Sequence, residues 1–204
     1  MIIREGELIA NTNRPLFLSE VSFSEEQSSK SIYDLLNENE SKYLEFKSSM
    51  IHLTQKTNSH QEAESIKTKM QKEIFLTISA FSNTKGGTII VGVDDRGKVL
   101  GIEDDYNELS KKKDWDGWQQ KFRDLFWKYF DDKLLIQNIE LNRYIIDDKT
   151  IVRIDVPKSS GPVYINKNGN GNETEFYIRT FTSSEKLDGK FIYGFISSKD
   201  EWKK

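Results

Sequence analysis

AFSNTKGGTIIVGVDD, residues 80–95, decides the fold. Its first half continues a stripe of Ile66, Met70, Ile74, Ile78 and Phe81, spaced four, four, four and three, the period at which apolar side chains share one helix face. Ser82-Asn83-Thr84-Lys85-Gly86-Gly87 ends that helix, because paired glycines reach the positive backbone angles that stop a helix and reverse the chain. TIIVGV follows as a β-branched run, which predicts a strand covered on both faces. Gly92 within it predicts that another backbone or side chain approaches closely. Asp94-Asp95-Arg96-Gly97 then turns the chain into KVLGI, the pattern of a hairpin.

Upstream, YLEFK reads as a half-buried strand. Leu44 and Phe46 face a core, and Glu45 and Lys47 share the opposite face by the two-residue alternation of a strand. A polar loop from Thr57 to His60 leads into the long helix. Downstream, an amphipathic helix from about Trp115 to Phe130 carries Trp118, Phe122, Leu125, Phe126 and Tyr129 on one side, an aromatic core cluster before it is a base-stacking platform. LLIQNIELN, TIVRIDVP and EFYIRT read as strands, and a closing helix surrounds Leu187, Phe191 and Phe195. Asn166 to Asn172 (NKNGNGN) reads as a hairpin tip. The order of elements predicts an α+β fold, with a mixed, largely antiparallel sheet and packed helices. Residues 1–38, with MII, LFL, VSF and the helical SIYDLL, read as an N-terminal extension to a domain of residues 39–204.

With 30 basic and 33 acidic residues the net charge is −3, so the chain as a whole does not attract nucleic acid and any such contact is local. There is no cysteine, which excludes disulfides and thiolate zinc sites, and two histidines make a histidine-rich centre implausible. A metal here would be held by oxygen. Arg4, Glu5 and Glu7 interrupt the N-terminus before a signal-peptide core forms, and no apolar run reaches membrane-spanning length. The expectation is a soluble cytoplasmic protein without a membrane partner. No G-x-x-x-x-G-K-[ST] loop is found, so no ATP site is assigned.

Taken singly, the polar motifs have plain readings. Glu45 and Lys47 would be an exposed strand-face pair, and Asp94 to Gly97 a hairpin tip. His52 and His60 read as solvated, as does Lys111-Lys112-Lys113. Asn83 would cap its helix or orient a carboxylate.

Taken together they carry a resemblance. ESKYLEFK (40–47), ISAFSNTKGGTIIVGVDDRGKVLGI (78–102) and FYIRTFTSS (176–184) resemble, in this order, the signature blocks of the Schlafen Alba-like domain over roughly Glu40 to Phe195. The resemblance implies nucleic-acid handling. Nuclease-active Schlafen proteins cleave transfer and ribosomal RNA with an acidic trio, and the matching positions here are Glu40, Glu45 and Asp94, with Asp95 as the alternative to Asp94. Carboxylates clustered in this way repel one another, which makes them natural ligands for Mg2+ or Mn2+. Lys47, on the face of Glu45, would act beside the trio on a scissile phosphate. Arg179, Lys85 and Arg96 would be further nucleic-acid contacts.

The chain departs from the animal Schlafen nucleases, which join two such lobes and carry a cysteine and histidine zinc site. One lobe gives half a groove, so a homodimer or a partner subunit is expected to complete it. The leading expectation is a metal-dependent endoribonuclease on structured RNA such as tRNA, with RNA favoured over DNA, acting as a toxic effector in bacterial defence. Two alternatives stay open: a non-catalytic nucleic-acid-binding module or transcriptional regulator, and a protein-interaction subunit of a defence complex docking through the first 38 residues.

Overall fold

The chain's computed structural model describes residues 30–53, 56–133, 135–169, 171 and 173–202. The apolar segments MII, LFL and VSF of the expected extension lie outside the described residues. In chain order the elements are α1 (Ile32–Leu36), β1 (Leu44–Lys47), α2 (His60–Asn83), β2 (Gly87–Val91), α3 (Glu103–Glu108), α4 (Trp115–Tyr129), β3 (Glu140–Ile146), β4 (Lys149–Val156), β5 (Tyr164–Asn166), β6 (Thr174–Thr180), β7 (Ser183–Leu187) and α5 (Lys190–Ser197). They form a four-stranded sheet in the order β1-β2-β4-β3 and a three-stranded sheet in the order β5-β6-β7. β1 and β2 run parallel, and every other neighbouring pair is antiparallel. The fold is α+β, as its sequence pattern predicts.

β2 is the centre of the larger sheet, and all five of its residues are buried. Ile89 and Val91 join Val152, Ile154 and Val156 of β4 under α2 and the aromatic face of α4. Ile90 and Val93 meet Leu44, Phe46 and Ile151 on the other side, where Ile32 and Leu35 of α1 close the cluster. The short helix of the N-terminal segment therefore covers one sheet face. α2 packs against β5, β6 and β7 and also against β2, β4 and α4, which is why every residue from Ile74 to Asn83 is buried while Ile66 and Met70 are only half-buried.

Gly86 and Gly92 act as the sequence predicts, whereas Gly87 is not at positive φ and opens β2 against the Phe81 ring. Gly86 has φ +79° beyond the helix end, and Gly92 has φ +93°, with Ile102 Cγ2 3.1 Å and the Thr150 carbonyl 3.2 Å from where a Cβ would stand. The hairpin after β2 is shorter than expected. Asp94 and Gly97 close its turn, but the pairing stops at a single Val93 to Val99 bridge, because Leu100 and Gly101 both donate to the Gly92 carbonyl as the chain bends away at two glycines of positive φ.

Other boundaries also shift. In LLIQNIELN, Leu135–Asn138 is a 3-10 turn, and the strand runs instead from Glu140 to Ile146. Its register is fixed by the two-residue Asp147-Asp148 turn at φ 50° and 60°, which pairs Ile146 with Lys149. As an edge strand β3 is largely exposed, so its apolar signal is weak. β5 and β7 are not foreseen, the first because it has three residues and the second because SSEKL is polar. Leu187 ends β7, leaving Phe191 and Phe195 on α5.

Two buried polar side chains hold segments that apolar packing leaves undefined. Asn83 neither caps α2 nor orients a carboxylate: its Oδ1 accepts from Val163 N (2.8 Å), and its Nδ2 donates to the carbonyls of Val163 (2.8 Å) and Tyr177 (2.9 Å), fastening α2 to the smaller sheet. Asp105 on α3 accepts from the backbone N–H groups of Met50, Ile51 and His52, from Ser49 Oγ and from Trp118 Nε1. Asn83→Ala removes three such bonds and leaves buried backbone groups without partners, so a loss of about 2–4 kcal/mol of unfolding free energy is expected in chemical denaturation.

Candidate acidic site at the end of strand β1

Glu45 sits in the middle of β1, and alternation places it opposite Leu44 and Phe46, where an exposed ion pair is expected. The structure buries it instead, with 8% of its surface exposed. The cause is Arg179 of β6, which reaches across to the strand: its NH2 lies 2.6 Å from Glu45 Oε2 and 2.9 Å from the Ser41 carbonyl, and its NH1 donates to Ser184 Oγ. The guanidinium lies over the Phe81 ring, 5.0 Å from its centroid. Lys47 donates to the other oxygen of Glu45. Both carboxylate oxygens of Glu45 are thus held by cations. Arg179, expected to contact phosphate, is an internal ion-pair partner with a side chain 1% exposed.

Glu40 lies beside this pair. Its Oε1 accepts from Phe46 N at 2.8 Å. Burial raises its pKa above the ordinary glutamate value, and nearby Glu45 and Asp95 push the same way, against the Phe46 N–H and Lys47. The aspartate that bears on Glu40 is therefore Asp95. Asp94 turns into its own loop, where Oδ1 accepts from Arg96 N and Lys98 N, both at 2.9 Å, and these bonds hold its pKa below the ordinary value. Gly97, at φ +79°, lets the hairpin press on the Leu36 carbonyl, which brings the loop next to Glu40.

The basic candidates separate. Arg96 is exposed on the hairpin, near the end of β1 that carries Lys47. Lys85 is exposed at the opposite end of β2, in the company of Lys158 and Lys199. Burial, then Lys158 and Lys85, push the Lys199 ammonium below its ordinary pKa. His52 is not simply solvated, since its Nδ1 stands 3.0 Å from Glu108 Oε1 while Lys67 holds the other oxygen.

Sequence reasoning brings Glu40, Glu45, Lys47 and Arg179 to one place. It misses the burial of Glu45, the Ser41 carbonyl and the choice of Asp95. Only the adjacency of two aspartates signals that choice. As a cation cage the trio is incomplete: among the described residues no three His, Cys, Asp or Glu side chains stand close enough to hold a metal ion. Among the described residues, the carboxylate oxygens of these four groups that no donor meets are Oε2 of Glu40, Oδ2 of Asp94 and both of Asp95.

The family described as Schlafen, AlbA_2 matches residues 40–188. The crystal structure of a Corynebacterium diphtheriae protein is similar at 16% identity and TM-score 0.45, over 72% of this chain and 25% of that one. The solution structure of the N-terminal domain of a RecG-related protein from Nitrosomonas europaea is similar at 18% identity and TM-score 0.45, over 78% of this chain and 94% of that one. This chain spans about a quarter of the length of the Corynebacterium protein. No curated protein matches the sequence.

Arg179→Met leaves Glu45 buried with Lys47 as its one partner and is expected to cost about 3 kcal/mol in denaturant unfolding, while Lys47→Met, at a more exposed position, costs less. The raised pKa of Glu40 has a definite sign. A proton on Glu40 stabilises the fold at low pH, and that stabilisation is lost as pH rises through the raised value. Glu40→Gln keeps the acceptor for Phe46 N–H and cannot ionise, so its Tm should exceed that of the wild type near pH 7, with the difference fading toward about pH 4.

Proposed function

The chain belongs to the Schlafen, AlbA_2 family, and on that premise we propose that it is a nucleic-acid-binding lobe in which the acidic motif holds the fold and the cations around it meet phosphates. The family associates the chain with nucleic acid. No helix among the described residues is long and apolar enough to cross a membrane. The observation that carries the reading is the double engagement of Glu45 by Lys47 and Arg179, which makes the centre of the motif a structural ion pair. Lys42, Arg96 and Lys98 are exposed on the segments around it, and exposed lysine and arginine supply the sequence-independent part of nucleic-acid affinity. RNA is the favoured strand, from the resemblance to RNA-cleaving Schlafen proteins, and a second copy of the lobe would complete the groove.

A second reading, metal-dependent endoribonuclease, is favoured by Glu40. A half-buried carboxyl with a raised pKa, next to Asp95 and Lys47, is the kind of perturbed group that gathers at reactive sites. Mg2+ or Mn2+ would then rest on Glu40 and Asp95, a donor set too small to be a cage without phosphate and water oxygens.

One set of assays separates the two. Binding of a single-stranded RNA followed by fluorescence anisotropy should weaken steeply with salt, and the Arg96→Ala/Lys98→Ala pair should weaken it about tenfold while lowering the salt slope by about one to two. A Kd that is flat in ionic strength would rule out phosphate binding. In parallel, transfer RNA incubated with Mn2+ should be cut by wild type and spared by Glu40→Gln and Asp95→Asn if the second reading holds. Intact RNA in every lane removes it and leaves the binding lobe.

A further inference from the structure

The β6–β7 turn carries a residue that its backbone does not favour. Thr180 pairs with Ser183, so the loop is Phe181-Thr182. Two-residue hairpins take types I′ or II′, which need positive φ at both central residues or at the first. The β3–β4 hairpin meets this demand with Asp147 and Asp148, a residue type that tolerates the left-handed region. In the β6–β7 turn the first central residue is Phe181, at φ +43°, and Thr182 is not at positive φ. That is the II′ pattern, whose first position calls for glycine. A bulky side chain there is strained.

Packing does not explain the phenylalanine. The residue is 86% exposed, more than any other large hydrophobic residue among those described. Strain without burial lowers stability twice, since the backbone is unfavourable and the apolar ring stays in water. No contact among the described residues offsets that cost.

The place of Phe181 in the fold indicates a use. Two residues earlier on the same strand, Arg179 bonds the Ser41 carbonyl and Glu45, so the end of β6 that leads into the turn approaches the segment that carries Glu40, the exposed Lys42 and the half-exposed Lys47. An aromatic ring next to exposed cations is the arrangement that holds single-stranded nucleic acid, with phosphates on the cations and a base face on the ring. A base inside a duplex has no free face to offer. We propose that Phe181 is a stacking platform for one unpaired base of a strand whose phosphates pass Lys42 and Lys47. This rests on the nucleic-acid reading above and deepens it, since it names the ligand as unpaired rather than duplex.

The test compares wild type with Phe181→Gly, Phe181→Ala and Phe181→Trp, all in the full chain. The probes are a labelled 12-nucleotide single-stranded RNA and a blunt RNA duplex of equal length, followed by anisotropy, with Tm measured in parallel. Phe181→Gly relieves the turn and should raise Tm by about 2–4 °C while weakening single-strand binding about tenfold. Phe181→Ala should weaken binding similarly without the gain in Tm, and Phe181→Trp should bind at least as well as wild type. Duplex binding and the salt slope should be unchanged throughout, because stacking adds no phosphate contact. Wild type that binds single strands, with Phe181→Gly equal to it, overturns the stacking proposal alone. Wild type that binds neither probe overturns the nucleic-acid reading and the platform with it.

Discussion

The buried contact between Glu45 and Arg179 joins the two sheets of the protein, and the acidic site is arranged around it. β1 belongs to the larger sheet and β6 to the smaller, so this ion pair, with the Ser41 carbonyl as a second acceptor, fixes how the edge strand of one meets the central strand of the other. Taking two charges out of water is costly, and a buried pair is weak evidence for added stability; the well-attested benefit of such a pair is registry. Here the registry is shared with Asn83, whose amide clasps Val163 and Tyr177 at the C-terminal end of α2. An apolar interface alone would allow β6 to slide along the helix. Two directional contacts do not.

Much of this was legible wherever one residue type has one physical use. Paired glycines end α2, the TIIVGV run becomes the strand buried on both faces, and the aromatic stripe of α4 becomes core, because burial and periodicity are local properties of the chain. What was not legible depends on partners far away in sequence. Glu45 reads as exposed from β1 alone, since the residue that covers it lies 134 positions later. Asp105 sits in the acidic run EDDYNE, which looks like a solvated helix start, yet it is the buried acceptor for three consecutive backbone N–H groups. β7 has no apolar alternation to betray it, and its strand is defined by pairing with β6.

The four acidic candidates were equivalent as letters and are not equivalent as groups. Glu45 is ion-paired, Asp94 is held by the N–H groups of its own turn, Glu40 is partly buried with a raised pKa, and Asp95 is exposed near it. Environment sorts them into structural and available. Opposite shifts on Glu40 and Asp94 follow from that sorting: burial without a full set of donors favours the proton, and two backbone donors on one oxygen disfavour it.

The same sorting limits what a cation could do at this site. To ligate a metal through Glu45, the carboxylate would have to leave Arg179, whose guanidinium is almost wholly buried and whose Nε already lacks a partner. An unpaired charge in that position costs several kcal/mol, and the arriving ion would also stand against the ammonium of Lys47. Glu40 and Asp95 are held in no ion pair that would have to break, although the charge of Lys47 is felt at Glu40 as well. Their proximity is unfavourable when both are ionised, so a cation or proton between them relieves repulsion instead of breaking the contact on which the fold depends. Glu45 is thereby the least available of the four carboxylates to an incoming ion, because its contact with Arg179 holds the sheets in place.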